Sequence, residues 1–449
     1  MGQYWEERRS GWVKQDDDVR SSWDVDYSRV VHSFSFRRLQ GKTQILNLGD
    51  SDFYRTRLTH SLEVGQIASG LVQQLRHDHP DHPAFRWLPE TPLIQAVSFT
   101  HDLGHPPFGH GGEVALNYCM RDHGGFEGNA QTLRILSRLE RMSQDSGSDL
   151  TRRALLAVLK YPVSYSMARD IETPPSLAKS INTIRVIDRQ NSVPPKCYHD
   201  DESDVVDWVL KDITSAERER FQAVARDRAG HGKSLHKSFD CTIMDLADDI
   251  AYGVHDLEDA ISLGLISQEQ FREGVPEKAL GPFLESLTDK YPNEASHDAY
   301  EKFVSELFNK EGQRKRYIGR MVHHFITAVQ IVEAEGFEES LLRYRVTMPA
   351  EQKAFLNALK GLVFKKVIKS ANVQHLEFKG QTMVVSVFEA FESDPEALLP
   401  DSVFRQFQKA GDNPSRVICD YVAGMTDGFL LKTYERLFSP RMGSVFDRL

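Results

Sequence analysis

An all-α fold is predicted by three features of the chain. Apolar residues recur at helical spacing through Leu58, Leu62, Ile67, Leu71 and Leu75, and again through Ile243, Leu246, Ala247, Ile250, Val254, Leu257 and Ile261. The last third is helix-rich, with runs around 299–309, 312–335, 351–370, 384–392 and 414–438. Strand-like sequence is confined to Val373–Phe378, followed by Gly380, which reads as a short strand or small β-hairpin.

Taken in order, residues 1–35 are polar, with an acidic run at Asp16–Asp18, and read as an extended N-terminal arm. A basic cluster follows: Arg37, Arg38 and Lys42, with Gln44 just beyond. The helix through Leu58–Leu75 carries His60 near its start and Arg57 one turn earlier. Thr91-Pro92 pairs an N-cap with proline at the first helical position, and Leu93–Phe99 continues as a mostly buried helix. That helix runs into FTHDLGHPPFGHGGE, residues 99–113. Glycine and proline at this density dictate tight turns, so His101, Asp102, His105, His110 and Glu113 are held on or beside a rigid loop. GGFEGNAQ, with Glu127 and Asn129, opens another helix, and the helix over 150–161 ends in Lys160-Tyr161-Pro162. From 163 to 236 the chain reads as long connections with short helices around 205–210 and 215–225, partly disordered. In CTIMDLADDIAYGVHDLEDAISLGLI, Asp248, Tyr252, Asp256 and Asp259 fall in one stripe beside the apolar face; such a row is either solvated or lines a cavity. Gly264 closes this helix, and Pro414-Ser415-Arg416 opens the last one.

Composition narrows the function. The 449 residues suffice for two or three domains, and the net charge of -10 disfavours a dedicated nucleic-acid binder. Four scattered cysteines, without a CxxC pair, argue against a disulfide framework or a zinc-thiolate site and suit the cytoplasm. No apolar run reaches the roughly 18 residues of a membrane span, and the charged, aromatic N-terminus is not a secretory signal.

His60, His101, Asp102 and Asp248 come from three helices. Together they would supply two imidazoles and two carboxylates to one divalent ion, with positions left for water and a phosphate oxygen. His110 and Glu113, three apart, suit an acid–base residue and its orienter. Arg57, Lys160 and Arg416 could neutralise phosphate charge. Each residue alone has an ordinary reading: a polar helix end, a satisfied core histidine, a solvated charge.

The segments RTRLTHS, FTHDLGHPPFGHGGE, GFEGNAQ, LKYP, DLADDIAY and DYVAGMTD, taken together, closely resemble the HD-domain deoxynucleoside triphosphate triphosphohydrolases, and best the bacterial deoxyguanosinetriphosphate triphosphohydrolase-like group. The resemblance runs from about Phe36 to the last helix. It is poor over 163–236 and 270–300. It implies an HD-domain helical core over 36–265, with a variable insertion at about 163–236. A C-terminal helical region, 266–449, would complete the substrate pocket and oligomer contacts. The implied reaction is hydrolysis of dGTP or several dNTPs to deoxynucleoside and inorganic tripolyphosphate. By the same resemblance His60, His101, Asp102 and Asp248 are metal ligands, His110 is the catalytic histidine with Glu113 beside it, and His105 faces the phosphates. Arg57 contacts the α-phosphate, Asn129, Lys160 and Tyr161 lie near the triphosphate, and Gln44, Tyr252 and Asp256 hold the deoxyribose; Arg416 is a further substrate contact. One divalent ion per site is implied, Mn or Mg first, with Zn, Fe, Co or Ni compatible with the donor set. A homo-oligomer, in this family a hexamer, is also expected, and a dNTP effector belongs to the same expectation. Two alternatives use the same residues differently. One is another HD phosphohydrolase activity, a 5′-nucleotidase or phosphodiesterase. The other is a non-enzymatic regulator binding nucleotide or single-stranded nucleic acid through Arg37, Arg38 and Lys42.

Overall fold

The computed structural model describes residues 3–44, 55–179, 186–226, 230–292, 298–309 and 313–440. Helices dominate them, as predicted. After α1 (Ser22–His32), α2 (Arg57–Asp78) starts at a capping box in which Thr56 accepts from the Thr59 amide. Then follow α3 (Thr91–Thr100), α4 (Gly109–Cys119), α5 (Gly128–Arg134), α6 (Arg152–Val158) and the long α7 (Phe239–Ser262), capped by Ser238. The C-terminal part contributes α8 (Arg314–Ile326), α9 (Ala350–Val363), α10 (Ala371–Ser393), α11 (Ser415–Ala423) and α12 (Asp427–Phe438). None of the helices among the described residues is long and apolar enough to cross a membrane.

The apolar faces divide between two large cores. Val64, Ile67 and Leu71 of α2 pack with Leu93, Ile94 and Val97 of α3 and with Ile243, Ile250 and Leu257 of α7. Burial of side chains of this size stabilises the fold by roughly 1.5–3 kcal/mol each. Helix α4 belongs elsewhere: its Val114, Leu116 and Tyr118 pack with Val384 and Phe388 of α10, Ile418 and Val422 of α11 and Leu430 of α12. The loop between α3 and α4 therefore crosses from one core to the other. Gly104 makes that crossing close, since a Cβ there would lie 2.0 Å from the Gly128 carbonyl oxygen at the start of α5.

Several expectations are corrected. Residues 373–378 are not a hairpin but the first turns of α10, capped by Ser370. Two antiparallel pairs occur instead, β1 (Val224–Ala225) with β2 (Lys233–Ser234) and β3 (Gln330–Glu333) with β4 (Tyr344–Thr347). The second cuts short the helix expected over 312–335, and the Val346 amide pins it to α7 by donating to Thr242 Oγ1 at 3.0 Å. Within 1–35 the described residues form no extended arm: Trp5 and Trp23 are buried, and Arg8 pairs with Asp26 at 2.6 Å. The single helix expected over 414–438 is two, because Thr426 caps a new helix that starts at Asp427. In the 163–236 insertion the short helices are Ser203–Val209 and Ser215–Phe221, and Cys197, Tyr198 and His199 are buried rather than loose. Positions 180–185 and 227–229 of that insertion lie outside the described residues.

A buried ion pair joins α6 to the first turn of α7. Arg153 donates to both carboxylate oxygens of Asp240, at 2.6 and 2.9 Å, and both residues are almost fully enclosed. Arg153→Ala strands that carboxylate and should cost about 3–5 kcal/mol, read as a lower midpoint in chemical denaturation.

Candidate active site

Four side chains from three separate parts of the chain converge. His60, in the first turn of α2, points Nε2 at Asp248 Oδ1 of α7, 3.1 Å away. His101, the residue that ends α3, has Nε2 at 3.7 Å from the same oxygen and 3.6 Å from Asp102 Oδ2. His60, His101 and Asp102 each offer a ligand atom within 4.8 Å of the others. The HD pair is usable because α3 stops there, so the chain can turn both side chains inward.

Beside this cluster, Asp102 also receives Arg57 Nη1 at 2.6 Å and lies 3.0 Å from His105 Nδ1. Burial is the largest influence on Asp102 and would raise its carboxyl, but Arg57 and the neighbouring imidazoles hold it well below the usual range. Burial pushes His105 down to about 4, so that ring is neutral at physiological pH. His105 and His110 have ring centroids 5.6 Å apart. His110, exposed on the first turn of α4, turns Nδ1 toward Glu113 Oε2 at 3.0 Å. The other oxygen of Glu113 accepts from the Gly128 amide at 2.9 Å and faces Lys196 Nζ at 3.4 Å. Burial would raise Glu113, yet Lys196, His110 and His105 keep it well below the ordinary carboxylate range. The His110 ring is thus oriented by a fixed anion.

Cations ring the site. Lys160 pairs with Asp245 at 2.7 Å and stands 3.9 Å from Asp248; Lys237 also pairs with Asp245 and lies over the Tyr161 ring. Lys196 Nζ and Asn129 Nδ2 both donate to Glu127 Oε1 at 2.8 Å. Further along the α7 stripe, Tyr252 is half-buried and Asp256 is buried with neither carboxylate oxygen partnered among the described residues. Burial is the main cause that raises Asp256 to about 7, against the pull of His60 and Arg55. The row of acids therefore lines an interior rather than a solvated face.

An open cleft lined by Arg57 and His110 adjoins the cluster, which Arg57 joins through Asp102. Gln44 and Phe108 share its wall with Ile368, Leu376 and Glu377 from the C-terminal part. Ile368 ends a π-helical turn, Phe364–Ile368, that follows α9.

Arg416 does not join this group. Its guanidinium sits 3.1 Å from Asp201 and donates to the His123 carbonyl at 3.2 Å, and it is not part of the cleft wall. It shares Asp201 with Arg134 of α5, which in turn pairs with Asp420 of α11, so it belongs to a polar layer apart from the cleft. Nor is Lys42 on a solvated basic face. It is buried, donates to the carbonyls of His105 at 2.5 Å and Ala423 at 3.0 Å, and is pushed down to about 7 by burial and by nearby Arg57.

Over 448 residues the chain is 46% identical to a deoxyguanosinetriphosphate triphosphohydrolase-like protein of Shewanella sp. (strain ANA-3), covering 98% of this chain and 97% of that one. A protein named deoxyguanosinetriphosphate triphosphohydrolase-like protein 2 from Deinococcus radiodurans is 45% identical over 447 residues, 99% of this chain and 98% of its own. This chain belongs to the deoxyguanosinetriphosphate triphosphohydrolase-like family. The model of a phosphohydrolase-associated domain also matches residues 346–436, the segment that runs from β4 to α12.

HD phosphohydrolases of this kind bind a divalent metal, and the donors in this family member fit one. His101 Nδ1 lies 2.7 Å from the Ser98 carbonyl oxygen, which assigns the proton to that nitrogen and leaves Nε2, buried and unpartnered among the described residues, as a free donor. Burial alone would lower His60, but Asp248, Asp256 and Asp102 raise it to about 9, the signature of a pocket with surplus negative charge. Two imidazoles and two carboxylates suit a borderline divalent cation. Two residues of this region lie outside the site expected from sequence: Lys196, in the insertion where no motif points to it, and Asp427, which ends the DYVAGMTD segment but whose Thr-Asp cap lies inside an expected helix. Asp248→Ala should lower metal affinity by about tenfold or more, seen as lost metal in elemental analysis after dialysis, with the helical circular dichroism retained.

Proposed function

We propose that this protein is a metal-dependent dNTP triphosphohydrolase, acting on dGTP or several dNTPs and releasing deoxynucleoside and inorganic tripolyphosphate. The observation that carries the reading is the convergence of His60, His101, Asp102 and Asp248 beside a cleft edged by Arg57 and the His110–Glu113 couple. The family membership supports it. His60, His101, Asp102 and Asp248 would hold one divalent ion, Mn or Mg first. Such an ion lowers the pKa of water and draws charge from a phosphoryl oxygen.

The chain's own groups do the rest. Arg57 and neutral His105 face the α-phosphate, and Lys160, Tyr161, Asn129 and Lys196 take the remaining phosphates. Water adds to the α-phosphorus, the bond from phosphorus to O5′ breaks, and O5′ leaves with a proton. All three phosphates therefore depart as one piece. His110 lines the cleft with Nδ1 turned to Glu113, which leaves Nε2 as the nitrogen for proton transfer. Gln44, Tyr252 and Asp256 hold the sugar, Asp256 accepting from the 3′-hydroxyl. Tyr252 packed on C2′ leaves no room for a ribose hydroxyl.

Incubation with each dNTP and Mn or Mg, followed by ion chromatography, should give tripolyphosphate and deoxynucleoside in equal amounts. Orthophosphate or a nucleoside monophosphate as the product would overturn the reading. Turnover of ribonucleotides at equal rates would remove Tyr252 from its assigned place. His110→Ala should lose about 10²–10⁴-fold in kcat while keeping its metal content by elemental analysis.

A further inference from the structure

We infer that Asp427, at the start of α12, is a positioning residue for the catalytic loop, and that through it the C-terminal region sets where His110 and Gln44 stand. The inference rests on the function proposed above for that site. Its basis is a fork of hydrogen bonds from one buried carboxylate. Oδ1 accepts from the Phe108 amide at 3.0 Å; Oδ2 accepts from the Thr43 amide at 3.0 Å and from the Thr43 hydroxyl at 2.6 Å. Phe108 is two residues before His110, and Thr43 is next to Gln44. One side chain, itself part of the cleft lining, thus holds two separate segments that line it.

Phe108 needs holding. Its backbone sits at φ 61° and ψ 23°, the left-handed region, which a bulky aromatic residue rarely adopts. Such a conformation persists only where the surroundings over-determine it. Two of those constraints come from the C-terminal region. Asp427 fixes the amide, and Gly380 of α10 makes room for the ring, since a Cβ at 380 would lie 2.6 Å from Phe108 Cβ. Lys42, the residue before Thr43, adds a parallel tie by bridging the His105 and Ala423 carbonyls. The hold matters because α4 starts immediately after Phe108, so a shift there moves His110 against the cluster on the other core.

The test uses the full-length protein with its metal. Asp427→Ala should lower kcat about 10- to 100-fold, with metal content unchanged. Deuterium exchange should rise over 104–112 and 39–44 but not in the middle of α2. Asp427→Asn keeps one acceptor oxygen and should fall between Asp427→Ala and the unmodified protein. Gly380→Ala leaves Asp427 in place, displaces Phe108, and should reproduce the loss of kcat and the faster exchange over 104–112; it carries the test if Asp427→Ala does not fold. A folded variant with kcat within twofold of the unmodified protein, or with unchanged exchange over 104–112, would overturn the inference. An unmodified protein that turns over no dNTP would remove the proposed function alone, and the exchange pattern would still decide whether Asp427 holds the loop.

Discussion

The site straddles two hydrophobic cores, and the rigid segment 101–112 is what keeps its halves in register. His60 and Asp248 ride on α2 and α7 and the His101–Asp102 pair directly follows α3; the apolar faces of these three helices share one core. His110 and Glu113 ride on α4, which packs with α10, α11 and α12 in the other. Neither core alone fixes the distance between the metal-type donors and the His110 ring. The connection must therefore be stiff, and its glycines and prolines supply that stiffness by close approach. Gly104 packs on the α5 backbone with no room for a side chain, and the Gly128 amide of α5 is itself bound to Glu113. The same few residues of α5 thus brace both ends of the crossing.

Charge is arranged with similar economy. Three cations around the site already face carboxylates: Arg57 faces Asp102, Lys160 faces Asp245 and Asp248, and Lys196 faces Glu113 and Glu127. These pairs prevent like-charge crowding when no polyanion is present. On the proposed reading an arriving triphosphate competes for the same cations, and a divalent ion takes over the carboxylates they leave. Buried pairs broken one-sidedly are costly, so ion and nucleotide would favour each other's binding. This coupling follows from Asp102 and Asp248 being shared between the metal cluster and Arg57 and Lys160.

Much of this was legible in the sequence, for identifiable reasons. His60 and Asp248 stand on strongly periodic helices and the HD pair follows the end of α3; spacing shows which faces they share, and the family resemblance is what joins the four into one set. The α7 stripe was ambiguous, solvated or interior; the burial of Asp256 decides it. What escaped lies where tertiary contacts override local pattern. Val373–Phe378 reads as a strand by its residue types, yet Ser370 caps it as helix and Val373 packs into the first core. Arg416 begins a helix and joins the polar layer apart from the cleft, a placement no periodicity encodes. Lys42 looks like part of a basic face, but its ammonium is drawn inside by two carbonyls from distant parts of the chain.

The C-terminal region is therefore not an appendage to a self-sufficient catalytic unit. Ile368, Leu376 and Glu377 form a wall of the cleft, and α10 and α12 supply the glycine and the carboxylate that shape the bend at Phe108. Helix α4 could not bury Val114, Leu116 and Tyr118 without α10 and α11. The segment 346–436 serves both cores: Phe355, Leu359 and Val363 of α9 pack into the first, and α10, α11 and α12 support the helix that bears His110 in the second. The His101–Asp102 pair needs His60 and Asp248 from the first core beside it, and the His110 ring stands where the second core puts it, so the matched segment 346–436 bears on both sides of the cleft.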